Sequence, residues 1–128
     1  MQKKIQLTDK PIKKKGSFAS HSFQSGSVVE FYGIVRNAEN EKTISHLNYE
    51  AYLEMAKYQI HKILDELQPT YPCHSFHVIH RLGKVAVGEP SLWIQIASKH
   101  RKEGFALLTE FCDRLKQDVP IWKSTDDL

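Results

Sequence analysis

Residues 92–116 read LWIQIASKHRKEGFALLTEFCDRLK, and the period of their apolar residues changes partway along. LWIQIA (92–97) is built from β-branched, aromatic and apolar residues and predicts a strand. Beyond it, Phe105, Leu108, Phe111, Cys112 and Leu115 recur three or four apart, which places them on one face of a helix. Ser98 or His100 stands where that helix would be capped, and Glu103 falls in its first turn, where the helix dipole favours an acid. Pro120 stops the helix, and Ile121 and Trp122 open a short extended segment.

Upstream, a second change of period marks a second helix. Ala56, Ile60, Ile63, Leu64 and Leu67 recur at helical spacing within 51–67, Met55 joins that face, and Pro69 lies just past the end. Strands are predicted at Lys3–Leu7, Val28–Val35, Ile44–Tyr49 and Phe76–Ile79, with Gly83 and Gly88 as punctuation. Asn37–Lys42 is polar and reads as a loop, so the strands on either side of it are expected to form a hairpin. Phe18–Gly26 is Ser-rich and has turn character, and Lys13–Lys15 followed by Gly16 reads as a solvated loop. The order is strands, helix, strands, helix. Too few helices alternate with strands for a doubly wound parallel sheet. The expected class is α+β, with two main helices packed on a mostly antiparallel sheet.

The chain has 128 residues, 41% apolar and 26% charged, which suits one globular domain over residues 1–128. No apolar run reaches the roughly 18–20 residues of a membrane span, and no apolar h-region follows the charged N-terminus, so no secretory signal is expected. Two cysteines make no disulfide framework, and the expected compartment is the cytoplasm. A net charge of +3 suits an anionic small substrate, an acidic protein or nucleic acid.

Three constellations could carry chemistry. Cys73, His74, His77 and His80 are zinc-ligand types. On a strand, His74 and His80 would share one face while Cys73 and His77 point to the other, so no compact tetrahedral site forms and no metal is expected. Cys112 sits on the apolar face of its helix, where a thiolate is disfavoured, and Cys73 follows Pro72 in a turn; ordinary packing accounts for both. The third constellation is basic: Arg36 at the end of FYGIVR, His100 and Arg101 where strand hands over to helix, Lys116 near the end of that helix, and Lys123 after Ile121-Trp122. A helix N-terminus with His and Arg suits an anion. A partly buried lysine near other cations can act as acid, base or nucleophile.

FYGIVR, LNYEAYLEMA, HRLGKVAVGEPSLWIQIASKHR and LKQDVPIWK together resemble the large, catalytic subunit of molybdopterin synthase, the MoaE family, from about Ile5 to Lys123. The resemblance implies an α/β-hammerhead-type fold and a sulfurtransferase of molybdenum cofactor biosynthesis. Such an enzyme takes sulfur from the C-terminal Gly-Gly thiocarboxylate of a small ubiquitin-like subunit. It inserts that sulfur into cyclic pyranopterin monophosphate (precursor Z), forming the molybdopterin dithiolene. The implied assembly is a heterotetramer around a dimer of large subunits, with no cofactor, nucleic acid or membrane. By the same resemblance Lys116 and Lys123 are catalytic, and Ile34, Val35, Arg36, His100, Arg101, Ser124 and Thr125 bind substrate. His100 and Arg101 are implied to reach into the neighbouring large subunit's site. Two departures stand out. After Trp-Lys the family has a basic residue, then Glu and a longer tail; here 124–128 read STDDL. Gly104 stands where the family commonly has Ala. The chain ends without Gly-Gly, so it is not expected to be the sulfur carrier. Two other readings are a non-catalytic relative that keeps fold and partner binding, supported by the short tail, and a small basic nucleic-acid-binding module, supported by the lysine run.

Overall fold

The computed structural model describes residues 1–13 and 23–125. In chain order its elements are β1 (Gln2–Thr8), β2 (Ser27–Ile34), β3 (Ala38–Glu39), β4 (Lys42–Thr43), β5 (His46–Ala51), α1 (Leu53–Leu67), β6 (Ser75–Arg81), β7 (Gly83–Ala86), β8 (Pro90–Ser98), α2 (Arg101–Asp118) and β9 (Ile121–Ser124). Most of the Lys13–Lys15 loop, most of the Ser-rich stretch after it, and Asp126–Leu128 lie outside the described residues.

The LWIQIA strand lies inside the larger sheet, whose order is β1-β6-β8-β2. β8 is antiparallel to both neighbours, while β1 joins β6 in parallel. A second sheet, β7-β5-β9, is antiparallel throughout. Two helices on mostly antiparallel sheets is the class expected from the sequence.

Both helices cover one face of the larger sheet. Ala56, Ile60, Ile63 and Leu64 of α1 and Leu107 and Phe111 of α2 are buried against Phe76, Val78, Ile94 and Ile96. The Phe76 and Phe111 rings meet at 4.7 Å between centroids, and burying each adds roughly 1.5–3 kcal/mol. On the sheet's other face Ile79 and Trp93 pack with Ile12 and Tyr32. Val35, Leu47 and Val85 form a small separate core under the second sheet. Among the described residues no helix is long and apolar enough to cross a membrane.

Several expectations are corrected. The strands at Val28–Val35 and Ile44–Tyr49 do not pair: β2 pairs with β8, and β5 pairs with β7 and β9. The loop between them is itself a small ribbon, β3-β4. Its turn residues Asn40 and Glu41 take φ of 51° and 67°, the left-handed conformation a two-residue hairpin turn requires. That ribbon carries the chain from one sheet to the other. Met55 is 52% exposed, because it lies about 100° around the helix from the buried Ala56.

The buried stripe of α2 is Gly104, Leu107, Phe111 and Leu115, while Phe105 faces outward. Gly104 sets this rotation. A Cβ there would stand 3.1 Å from both Ser98 Oγ and Val29 Cγ2, so the glycine lets the helix lie close on β2 and β8. Of the two cap candidates, His100 and not Ser98 is the N-cap residue of α2. His100 occupies the cap position without a side-chain cap bond, and Ser98 Oγ donates to the His100 carbonyl at 2.7 Å.

Candidate active site

Where the larger sheet ends, the second half of α2 and the second sheet enclose a cavity of about 510 Å³. Its walls follow from local sequence. Pro120 ends α2, and Val119 leaves it in extended conformation. Residues 121–124 then turn back as β9 beside β5, in register with Glu50 opposite Trp122 and Tyr49 opposite Lys123. This reversal brings Lys123 to the same cavity as Lys116, on the last turn of α2. From β2 come Phe31, Gly33 and Ile34, from β6 His80, and from β8 Leu92. The β2 register shifts between Gly33 and Ile34, and Ile34 is half exposed at the cavity edge. Gly33 has a packing role: a Cβ there would meet Leu92 Cβ at 3.3 Å.

The walls are largely apolar and the polar groups few. Lys123 Nζ pairs with Glu39 Oε1 of the β3-β4 ribbon at 3.2 Å, the lysine side chain remaining 48% exposed. Trp122 Nε1 donates to Glu50 Oε2 at 3.0 Å, and its ring lies 5.1 Å from that of Tyr52. Cys112 also lines the cavity. Burial pushes its thiol pKa up, and Lys116 only partly opposes this. The cysteine is thus a protonated, poorly nucleophilic wall residue, as its place on the helix suggested.

The remaining site candidates lie elsewhere on the chain. Val35 is buried in the core under the second sheet, with its backbone N–H bonded to the Glu89 carbonyl and its carbonyl accepting from Gly88, so it presents no side chain to the cavity. Arg36 is exposed just after β2, outside the cavity lining. His100 and Arg101 line a separate, open depression of about 640 Å³ with Lys99, Val28 and Glu30. It shares no residue with the lysine cavity. The start of α2, where no side chain caps the helix, adds backbone N–H groups to Lys99 and Arg101, an arrangement receptive to an anion. Ser124 pairs with Asn48 in the sheet, and Thr125 lines a third depression beside Glu39 and Lys42. One chain therefore brings together Ile34, Lys116 and Lys123, and holds Arg36, His100, Arg101, Ser124 and Thr125 apart from them.

The histidines of 73–80 have separate surroundings. His74 Nδ1 is 2.7 Å from Ser25 Oγ, His77 stands edge-on to Trp93 at 4.7 Å, and His80 lies against Tyr49 at 5.1 Å. Among the described residues no group of three or more His, Cys, Asp and Glu could hold a metal ion. Residues not named as site candidates also shape the cavity: Tyr49 and His80, which lie within two of the quoted motifs, in its wall, and Glu39 on Lys123. His80 had a signal, as the one polar residue on the otherwise apolar Phe76-Val78-His80 face.

The model of the MoaE protein family matches residues 7–118. The molybdopterin synthase catalytic subunit of Pyrococcus abyssi is 33% identical over 94% of this chain and 83% of its own length. That of Arabidopsis thaliana is 40% identical over 78% of this chain, which spans about half the length of that relative. The crystal structure of molybdopterin synthase from Staphylococcus aureus superposes with a TM-score of 0.83 at 27% identity, covering 96% of this chain and 90% of that one.

Proposed function

The chain belongs to the MoaE family, and on that premise we propose that it is the catalytic subunit of a molybdopterin synthase. In this reading it is a cytoplasmic sulfurtransferase. It moves sulfur from the thiocarboxylated C-terminus of a small ubiquitin-like subunit to cyclic pyranopterin monophosphate, forming the dithiolene of molybdopterin. The observation that carries the reading is the convergence of Lys116 and Lys123, from two different elements, on one apolar-walled cavity.

The chemistry needs what this cavity offers. The sulfur arrives on the partner's tail, so no cysteine of the chain has to be a nucleophile. The tail's sulfur bonds to a substrate carbon to give an acyl thioester. Water then adds to the acyl carbon and the carbon–sulfur bond to the tail breaks, leaving sulfur on the substrate and a carboxylate on the tail. An ammonium stabilises the oxyanion formed as water adds. Lys116 takes that role, and Lys123 exchanges protons with the substrate as its ring opens; the two roles can be exchanged. Ile34 packs against the bound substrate at the cavity edge. The substrate's phosphate calls for cations and hydrogen-bond donors; Arg36 and Arg101 supply charge and His100 a ring N–H. His100 and Arg101 lie in a different depression from the lysines, so a complete site requires a second copy that brings its own pair across. Val35 acts from outside the cavity, by holding the end of β2 against Gly88 and Glu89, and Ser124 and Thr125 continue the chain from Lys123 towards a neighbouring depression.

The test is a single-turnover assay. Purified protein, precursor Z and thiocarboxylated small subunit are mixed, and molybdopterin is read as its fluorescent oxidised derivative. Product from the wild type, with at least about 100-fold less from Lys116→Ala or Lys123→Ala, is the expected result. Near-normal product from both variants overturns the lysine assignment. Partner binding without product from the wild type makes the chain a non-catalytic relative.

A further inference from the structure

His80 is buried, its residue only 6% exposed, yet it lines the lysine cavity. Its Nδ1 lies 2.8 Å from the Arg81 carbonyl. A carbonyl oxygen only accepts, so Nδ1 carries the proton and the neutral ring keeps its lone pair on Nε2. Burial pushes the pKa of the ring down, and the Arg81 carbonyl only partly opposes this, so the imidazole is neutral at physiological pH. The bond to Arg81 engages Nδ1 and leaves the Nε2 lone pair uncommitted to that carbonyl. Tyr49 holds the ring edge-on at 67°, fixing its plane.

The other nitrogen groups on the wall are of the opposite kind. The Lys116 and Lys123 ammonium groups can only donate, and the Trp122 indole N–H is already given to Glu50. A ligand filling this cavity meets donors at the lysines, an imidazole acceptor at His80 and the hydroxyls of Tyr49 and Ser91, with Phe31 and Leu92 as apolar wall.

We propose that His80 is a substrate-contact residue, whose Nε2 accepts a hydrogen bond from an N–H group of the heteroaromatic ring bound between it and the lysines. This rests on the functional reading above, in which that ring is a pterin, with N–H and amino donors along one edge. His80 thereby orients the ring, so that its carbonyl and oxygen substituents face Lys116 and Lys123. The bond joins two neutral groups and adds selectivity for ligands that present a donor there. A ring with an acceptor at that edge would face the Nε2 lone pair and be rejected.

Two substitutions separate contact from scaffolding. His80→Asn keeps an amide N–H near the Nδ1 position for the Arg81 carbonyl but has nothing at the Nε2 position. His80→Gln places an amide oxygen near Nε2 and gives up the Arg81 bond. Calorimetric titration of precursor Z into the apoprotein, without the small subunit, reads affinity, and thermal melting reads the scaffold. The expected result is a crossed order. Asn melts near the wild type but binds about three- to tenfold more weakly, whereas Gln melts lower and binds within about threefold of wild type. Affinity that follows melting temperature, with Gln the weaker binder, overturns the proposal, as does equal binding by all three proteins. Wild-type protein that binds no precursor Z, in the dimeric form that completes the site, overturns the functional reading and this inference with it.

Discussion

Replacing Glu39 with Gln removes the carboxylate that holds Lys123 at the cavity. At the 3.2 Å separation the Coulomb attraction is about 1.3 kcal/mol at the dielectric of bulk water, and several times more in a drier setting. With 48% of the lysine side chain and 20% of the glutamate exposed, solvent screening and the entropy of holding a long side chain consume most of that. The coupling expected is about 0.2–1 kcal/mol. A double-mutant cycle of Glu39→Gln, Lys123→Met and the double variant, read by urea unfolding, measures it. Function should respond more than stability. The ammonium remains in Glu39→Gln but is no longer held, so single-turnover product should form severalfold more slowly, while Lys123→Met loses it altogether. A coupling of zero would mean that the pair does not exist in solution. A coupling above about 2 kcal/mol would mean a pair shielded from water, at odds with the exposed geometry. Loss of activity in Glu39→Gln as deep as in Lys123→Met would make Glu39 a substrate contact and refute its role as a support for the lysine.

Gly33→Ala places a methyl against Leu92 Cβ at 3.3 Å and into the cavity wall; about 1–2 kcal/mol of stability and a measurable part of precursor Z affinity should be lost, read by urea unfolding and calorimetry. Burial raises the Cys73 thiol to about 11 and pushes Cys112 up as well, so both should react slowly with a disulfide reagent at pH 8 in the folded protein and rapidly in denaturant. Rapid labelling of the native protein would contradict the burial of Cys73 and the half-buried place of Cys112. Glu89 is held below the usual carboxylate range, first by its hydrogen bond from Arg81 and then by the Ala86 N–H. A depressed folded-state pKa gives stability that is present above the unfolded value of about 4.3 and lost as pH falls through the folded value. Glu89→Gln should therefore lower the urea midpoint at pH 7 and converge with wild type at strongly acid pH.

The sequence displayed the periodic parts of the fold well. The apolar spacing of α1 and the β-branched run at LWIQIA dictate their own conformations, so local reading finds them. Pairing is another matter, because it depends on surfaces distant in sequence. Nothing local tells Val28–Ile34 to choose β8 over the nearer His46–Ala51. Phe105 misled because large apolar residues mark a helix face more loudly than Gly104, although the glycine makes the contact. At the candidate site, the lysines were visible through motif resemblance; His80 stood in a quoted motif without a role, and Glu39 in none. Their roles depend on a salt bridge spanning 84 residues and on the place of His80 in a cavity wall, which only the folded chain displays.

The pairing order of the larger sheet also sets a timetable for synthesis. β1 finds its partner only when residues 75–81 have emerged, and β2 waits for residues 90–98. Until then α1, complete at Leu67, carries an apolar face with no sheet to cover it. Such long-range pairing slows folding and leaves sticky surface on the nascent chain. The lysine cavity closes later still, since Lys123 is set in place by the last strand to be made. A ribosome stalled before β9 would thus release a polypeptide whose larger sheet can assemble but whose cavity has no second lysine, and a holdase chaperone should bind such chains most tightly while α1 is out and β8 is not.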